Sequence, residues 1–147
     1  MDRAKIKVLL ADDDPDDRDL FTEAVNEHNA DIQTAGNGAQ LMTLLLETSE
    51  FPDFIFLDLN MPEKSGKECL QEIRQHPKLK DIPVIIYSTS SSKKDIDDTY
   101  SLGANLYITK PNSFSELRNT VREILSIDWK QREQKVAKKQ YVFAISE

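Results

Sequence analysis

At 147 residues, with 39% apolar and 31% charged side chains, the chain suits one domain with a single core under a charged surface. The formal net charge is −7, and residues 128–147 hold five basic and three acidic side chains, so residues 1–127 carry −9. A body that acidic argues against a nucleic-acid surface, which needs clustered Lys and Arg, and no apolar run approaches the ~20 residues that cross a bilayer.

Ile6–Ala11 is a nearly continuous apolar run, the pattern of a strand covered on both faces. Asp12, Asp13 and Asp14 follow it, and Asp14-Pro15 reads as a helix N-cap with proline at the first helical position. Leu20, Phe21, Ala24 and Val25 form the apolar stripe of that helix, and Asp16 and Asp17 suit its positive N-terminal end. Ile32–Ala35 is a short strand, Asn37-Gly38 a turn, and Leu41, Met42, Leu44 and Leu45 mark a second helix. Phe54–Leu57 is a third-strand candidate ending in Asp58; after a loop with Pro62 and Gly66, Leu70 and Ile73 lie in a helix.

Pro83 introduces the strand Val84–Tyr87, and Ser88–Ser92 lead into a helix whose inward residues are Ile96, Tyr100 and Leu102. Gly103 terminates it. Leu106–Thr109 is the fifth strand. Ser113 and Glu116 have capping-box spacing before a last helix carrying Leu117, Val121, Ile124 and Leu125, with Trp129 as its far limit. Lys130–Gln140 is charged, and Tyr141-Val142-Phe143-Ala144-Ile145 is apolar. An apolar tip does not hang free in water. It either folds back on its own domain or contacts a second subunit or partner.

Five strands alternating with five helices mean a parallel sheet covered on both faces. In such sheets ligands bind beyond the carboxyl ends of the strands. Asp12, Asp58, Ser88 and Lys110 all fall there, so four polar groups from four strands converge on one edge. Paired carboxylates at buried strand ends need a cation or another positive group. A carboxylate can also attack phosphorus to form an acyl phosphate, a reaction that depends on charge neutralisation. Asp13 and Asp58 could hold a metal, Lys110 could pair with one phosphoryl oxygen, and Ser88 could donate to another.

Val8-Leu9-Leu10-Ala11-Asp12-Asp13, Leu57-Asp58-Leu59-Asn60-Met61-Pro62, Gly66, Pro83-Val84-Ile85-Ile86-Tyr87-Ser88, Gly103-Ala104 with Tyr107, and Lys110-Pro111 together resemble the receiver domain of two-component response regulators, in that family's order over residues ~5–125. The resemblance implies a flavodoxin-like sheet of order 2-1-3-4-5, the order of the family's chemotaxis member. It implies that Asp58 is the phosphoacceptor, that Asp12, Asp13, Asp58 and the Asn60 carbonyl hold Mg²⁺, and that Ser88 and Lys110 bind the phosphoryl group. Tyr107 is then the aromatic that turns inward when Ser88 moves, and Lys110-Pro111 is expected to be cis.

Thr89 stands where many receivers have a small residue, which bears on access to Asp58, and a one-residue slip of the strand would exchange Ser88 and Thr89. Ser65 stands where the family often has Asp and is expected only to cap the loop. The expected protein is a receiver at 1–127 with a C-terminal extension at 128–147 and no output domain. It would be a phosphoacceptor rather than an enzyme, soluble and cytoplasmic, as the lack of a leader segment and the lone Cys69 suggest. Its partners would be a sensor histidine kinase or phosphotransfer protein and a downstream protein, with no nucleic acid and no membrane. The wording around Asp58 and Ser88 also resembles the small receivers paired with phytochrome-type kinases, which implies a homodimer through the last elements as one use of the tail. Three rivals stand beside this reading. An aspartyl phosphatase would want an acid where Asn60 stands. A flavin module would want a phosphate-cradling first loop instead of Asp12-Asp13-Asp14. A scaffold would never be phosphorylated.

Overall fold

The computed structural model describes residues 5–127 and 140–143. Five strands and five helices alternate: β1 (Ile6–Ala11), α1 (Pro15–Asn26), β2 (Ala30–Ala35), α2 (Gly38–Glu47), β3 (Phe54–Leu57), α3 (Gly66–Gln75), β4 (Val84–Ser88), α4 (Lys93–Ser101), β5 (Leu106–Thr109) and α5 (Phe114–Leu125). All neighbouring strands are parallel, in the order β2-β1-β3-β4-β5. The flavodoxin-like expectation is met.

The sheet separates two apolar layers. Val8, Leu10, Phe56, Ile85 and Tyr87 point to one side, where Phe21, Ala24 and Val25 of α1 and Leu117, Val121 and Ile124 of α5 cover them. Leu9, Ile55, Leu57, Val84 and Ile86 point to the other, against α2 and α3. Alternation along continuous apolar strands supplies both layers at once. Phe21 anchors the first, with Phe56 and Tyr87 edge-on to its ring at 4.8 and 5.1 Å.

Side-chain caps set the helix starts. Asp14 accepts from the amides of Asp16 and Asp17, Asn37 from Gln40, Ser92 from Asp95 and Ser113 from Glu116. Ser65 and Glu68 form a reciprocal capping box at α3, so the expected loop-capping serine is the helix N-cap. The reciprocal box expected for Ser113 and Glu116 shows only its Ser113 half among the described contacts. Asn37-Gly38 is a helix start rather than a free turn. Gly103 has φ +99°, a left-handed residue that ends α4 as expected.

The structure corrects several local expectations. Leu20 lies 43% exposed, off the buried stripe of α1. Beta-strand pairing carries β2 back to Ala30 and β4 on to Ser88. In α4, Ile96, Tyr100 and Leu102 do turn inward and pack half-buried against the core, but the fully buried residue is Thr99. The Lys110–Pro111 bond is trans, the isomer an X–Pro bond favours by about 0.5–1 kcal/mol when its surroundings do not select the other. Trp129 and the extension of α5 towards it lie outside the described residues.

The segment Gln140–Phe143 folds back on its own domain. The Tyr107 amide donates to the Tyr141 carbonyl at 3.0 Å, and the Phe143 amide donates to the Tyr107 carbonyl at 2.8 Å. This is a parallel bridge on the otherwise open edge of β5. Tyr141 is fully buried by it.

One glycine positions the candidate site directly. A Cβ on Gly66 would lie 2.1 Å from the Asp58 carbonyl oxygen and 2.8 Å from the Leu59 Cα, both backbone atoms. Gly66→Ala is therefore expected to lower stability by about 1–3 kcal/mol or more, as overpacking against an immobile neighbour does. Urea unfolding of the variant checks this, with an unchanged midpoint as the contrary result.

Candidate functional site

Asp12, Asp58, Ser88 and Lys110 converge at the carboxyl edge of the sheet because parallel pairing in register brings the strand ends together. Ala11 lies opposite Leu57, so Asp12 and Asp58 leave the sheet side by side. The Asp58 amide donates to the Ala11 carbonyl at 2.9 Å. The Lys110 amide donates to the Ser88 carbonyl at 2.8 Å, which ties the ends of β4 and β5.

The Lys110 side chain crosses over β4, with Nζ 5.3 Å from the centroid of the Tyr87 ring. Its ammonium lies 2.7 Å from Asp12 Oδ2, 2.8 Å from Asp17 Oδ2 and 3.5 Å from Asp58 Oδ2. Asp12 is fully buried and Asp58 is 6% exposed, so solvent does little to screen these charges. Asp12 Oδ1 accepts from the Asp14 amide at 3.0 Å, and Asp58 Oδ1 accepts from the Leu59 amide at 2.8 Å. The Arg18 guanidinium donates to the Asp12 carbonyl at 2.7 Å.

Burial pushes the Asp58 carboxyl up to about 6; the Lys110 cation opposes this, Asp12 reinforces it, and the Leu59 amide pulls the other way. Burial works against the Lys110 ammonium, but hydrogen bonds to Asp12 and Asp17 and the charge of Asp58 outweigh it, so its pKa is raised. The site is over-supplied with negative charge even with Lys110 in place.

The donor set fits a divalent cation. Asp12, Asp13 and Asp58 each offer a carboxylate oxygen, and these oxygens lie within 4.8 Å of one another. Asp12 Oδ2 is buried, with the Lys110 ammonium 2.7 Å away. Asp13 and Asn60 are exposed at the mouth. Hard carboxylate and carbonyl oxygens with room for water suit Mg²⁺ or a similar ion.

Ser88 is buried as the last residue of β4, while Thr89 lies beyond the strand end and is exposed. Ser88 Oγ accepts from the Ser90 amide at 3.1 Å. Tyr107 is fully buried, and its hydroxyl donates to the Ser90 carbonyl at 2.7 Å. Ser90 Oγ is bonded to Asp95 Oδ2 at 2.6 Å, and Asp95 pairs with Lys67 of α3 at 2.8 Å.

Two participants escaped the sequence reading. Asp17 had a sufficient local explanation as a first-turn acid, and its partner Lys110 is 93 residues away. Ser90 was one of five consecutive polar residues with nothing to single it out. Cys69 is buried away from this edge, with its thiol pushed up to about 12 by desolvation.

The chain as a whole is similar to known proteins. Residues 8–122 match the model of the response regulator receiver domain. Response regulator Rcp1 of Synechocystis sp. is 35% identical over 126 residues, covering 81% of this chain and 86% of that protein. The phosphorylated cyanobacterial phytochrome response regulator RcpA superposes with a TM-score of 0.78 at 38% identity, over 82% of this chain and 91% of that one. The Mn²⁺-bound form of Rcp1 superposes with a TM-score of 0.76 at 32% identity, over 87% and 97% of the two chains.

The raised Asp58 carboxyl has a consequence for stability. Its folded-state value of about 6 exceeds the ordinary 3.8. Between those values the folded state binds more protons than the unfolded one, so this group's contribution to stability falls as pH rises through that window. The penalty above pH 6 is roughly 2–3 kcal/mol, at 1.36 kcal/mol per unit. Asp58→Asn holds this side chain permanently neutral. In metal-free protein it is expected to be more stable than wild type by roughly 1–3 kcal/mol near pH 7.5, with the gap closing towards pH 4. Denaturant midpoints of the two proteins across that range test this, and a gap independent of pH would contradict it.

Proposed function

The chain belongs to the response regulator receiver family, and we propose that it is a receiver that accepts a phosphoryl group on Asp58 from a sensor histidine kinase or phosphotransfer protein and signals to a protein target. The observation that carries this is the Lys110 ammonium, held within 3.5 Å of Asp58 and ion-paired with Asp12 at the same strand-end edge. A structural lysine has no need of so many acids, and a phosphoryl site needs both the cation and the metal-holding carboxylates.

In the proposed step an Asp58 carboxylate oxygen attacks the phosphorus of a phosphohistidine. The P–O bond of an acyl phosphate forms as the P–N bond breaks, and the bonding pair stays on the imidazole nitrogen. Lys110 neutralises one phosphoryl oxygen, and the Ser88 hydroxyl donates to another. Asp12, Asp13, Asp58 and the Asn60 carbonyl would hold Mg²⁺, which screens the like charges of carboxylate and phosphoryl group. Rcp1 is a relative with a Mn²⁺-bound form, which supports a divalent ion at these carboxylates. RcpA is a relative described as phosphorylated and as a phytochrome response regulator, which supports a phytochrome-type kinase as donor.

Ser88 with Tyr107 forms the switch on this reading, and the exposed Thr89 shapes access from solvent. The protein turns over no external substrate beyond its own phosphorylation and dephosphorylation; Asn60 supplies no general acid for phosphatase chemistry. Residues 1–127 act as the receiver, with output through protein contact at α4, β5 and α5 and not through nucleic acid. No helix among the described residues is long and apolar enough to cross a membrane, which accords with a cytoplasmic site of action. A homodimer through the last elements would have to form around the segment seated on β5, or in its place.

Incubation with acetyl phosphate or phosphoramidate and Mg²⁺, followed by intact-mass measurement, tests the reading. One phosphoryl adduct is expected in wild type and none in Asp58→Ala. No adduct with any divalent metal would favour an unphosphorylated scaffold, and repeated hydrolysis of a phosphate ester would favour an enzyme.

A further inference from the structure

The segment Gln140–Phe143 sits on the one element that also carries Tyr107, and it grips that residue from both sides of the peptide. Tyr107 donates its amide to Tyr141 and accepts at its carbonyl from Phe143. The Tyr141 ring packs on the same face of the sheet, 6.1 Å from the Tyr107 ring and 5.1 Å from that of Tyr100. Its hydroxyl and that of Thr99 in α4 are 2.7 Å apart and hydrogen-bonded. Tyr141 therefore fills the space at the sheet edge through which the Tyr107 side chain would have to swing outward.

The inner end of Tyr107 reaches the candidate phosphoryl site in two bonds. Its hydroxyl donates to the Ser90 carbonyl, and the Ser90 amide donates to Ser88 Oγ. With that lone pair engaged, the Ser88 hydroxyl gives its hydrogen towards the Tyr107 hydroxyl, and an anionic oxygen on Asp58 would be a stronger acceptor for it.

We infer that residues 140–143 form an intramolecular ligand of the β5 edge whose docking is positively coupled to occupancy of Asp58. The docked segment holds Tyr107 inward, Tyr107 holds Ser90, and Ser90 sets the donor orientation of Ser88. A phosphoryl group rewards the same arrangement from the other end. Linkage makes the effect reciprocal: docking raises affinity for the phosphoryl group, and the phosphoryl group tightens docking by the same factor. The inference rests on the phosphoacceptor reading proposed above.

The test uses the full chain, with beryllofluoride and Mg²⁺ as the phosphoryl probe. Binding is followed by NMR at the Leu59 amide, which reports on Asp58 Oδ1. Tyr141→Ala is expected to weaken beryllofluoride binding about fivefold or more, and Tyr141→Phe, which removes only the bond to Thr99, by less. In wild type, beryllofluoride is expected to slow hydrogen exchange at the Tyr107 and Phe143 amides by the factor that Tyr141→Ala costs in affinity. Equal affinity in wild type and both variants overturns the coupling while leaving the phosphoacceptor reading intact. Faster exchange of those two amides on binding also overturns it, since the segment is then released and not tightened. Failure of wild type itself to bind the probe overturns both.

Discussion

Asp12 and Asp58 end neighbouring parallel strands that pair in register, so they cannot avoid each other. Both are buried, and water cannot screen them. The Lys110 ammonium makes that arrangement tolerable. It crosses over Tyr87 to reach them and is itself stabilised as a cation against the cost of its burial. Removing the Lys110 cation would leave buried carboxylates uncompensated, which costs about 3–5 kcal/mol in comparable cases. The balance is nonetheless incomplete, because burial, reinforced by Asp12, pushes the Asp58 carboxyl up to about 6 despite Lys110. A desolvated carboxylate beside a second one keeps a standing affinity for a further cation. A site optimised for stability alone would not retain it.

The sheet divides the labour between its two faces. Tyr87 belongs to the layer beneath α1 and α5, and Lys110 passes over its ring to the acids. Tyr107 and Tyr141 belong to the opposite layer, beside α3 and α4. Ser88 closes β4 at the junction, with its carbonyl bonded to the Lys110 amide and its hydroxyl bonded to Ser90. A change of charge at Asp58 can therefore be felt on the aromatic side through the end of β4. The Ser90–Asp95–Lys67 contacts extend that path to α3 and α4, the helices nearest the aromatic layer.

Sequence pattern was most reliable where local and tertiary demands coincide. The apolar runs of β1, β3 and β5 have the same limits in the sequence and the structure, because buried parallel strands need uninterrupted apolar residues. Asp14 and Ser113 could be read as caps because a cap acts within three residues. The convergence of Asp12, Asp58, Ser88 and Lys110 was legible because parallel topology places every strand's carboxyl end on one edge. Asp17, Thr99 and Ser90 were not. Each has an adequate local role as dipole partner, helix hydroxyl or loop serine, and its second role depends on a side chain far away in sequence. Leu20 failed for the opposite reason: apolarity at helical spacing does not say where the buried arc ends. The destination of the apolar tip was left open between self and partner, since hydrophobicity demands a cover without naming one.

The energetics of that tip suit a contact that can respond. Burying the Tyr141 side chain contributes about 2–3 kcal/mol, and the two backbone bonds to Tyr107 add about 1–3 kcal/mol together. Ordering four residues costs about 4–8 kcal/mol of backbone entropy. These terms nearly cancel, so docking sits close to balance and is not a permanent part of the core. An equilibrium near balance is the kind that a coupling of about 1–3 kcal/mol can shift decisively. Tyr107 is where such a coupling would enter: it belongs at once to β5, to the bond network of Ser90 and to the bridge with Tyr141 and Phe143. The same near-balance also makes the β5 edge exchangeable. Any extended chain that offered an aromatic at the Tyr141 position would compete for the same two backbone bonds and the same cavity beside Thr99 and Tyr100.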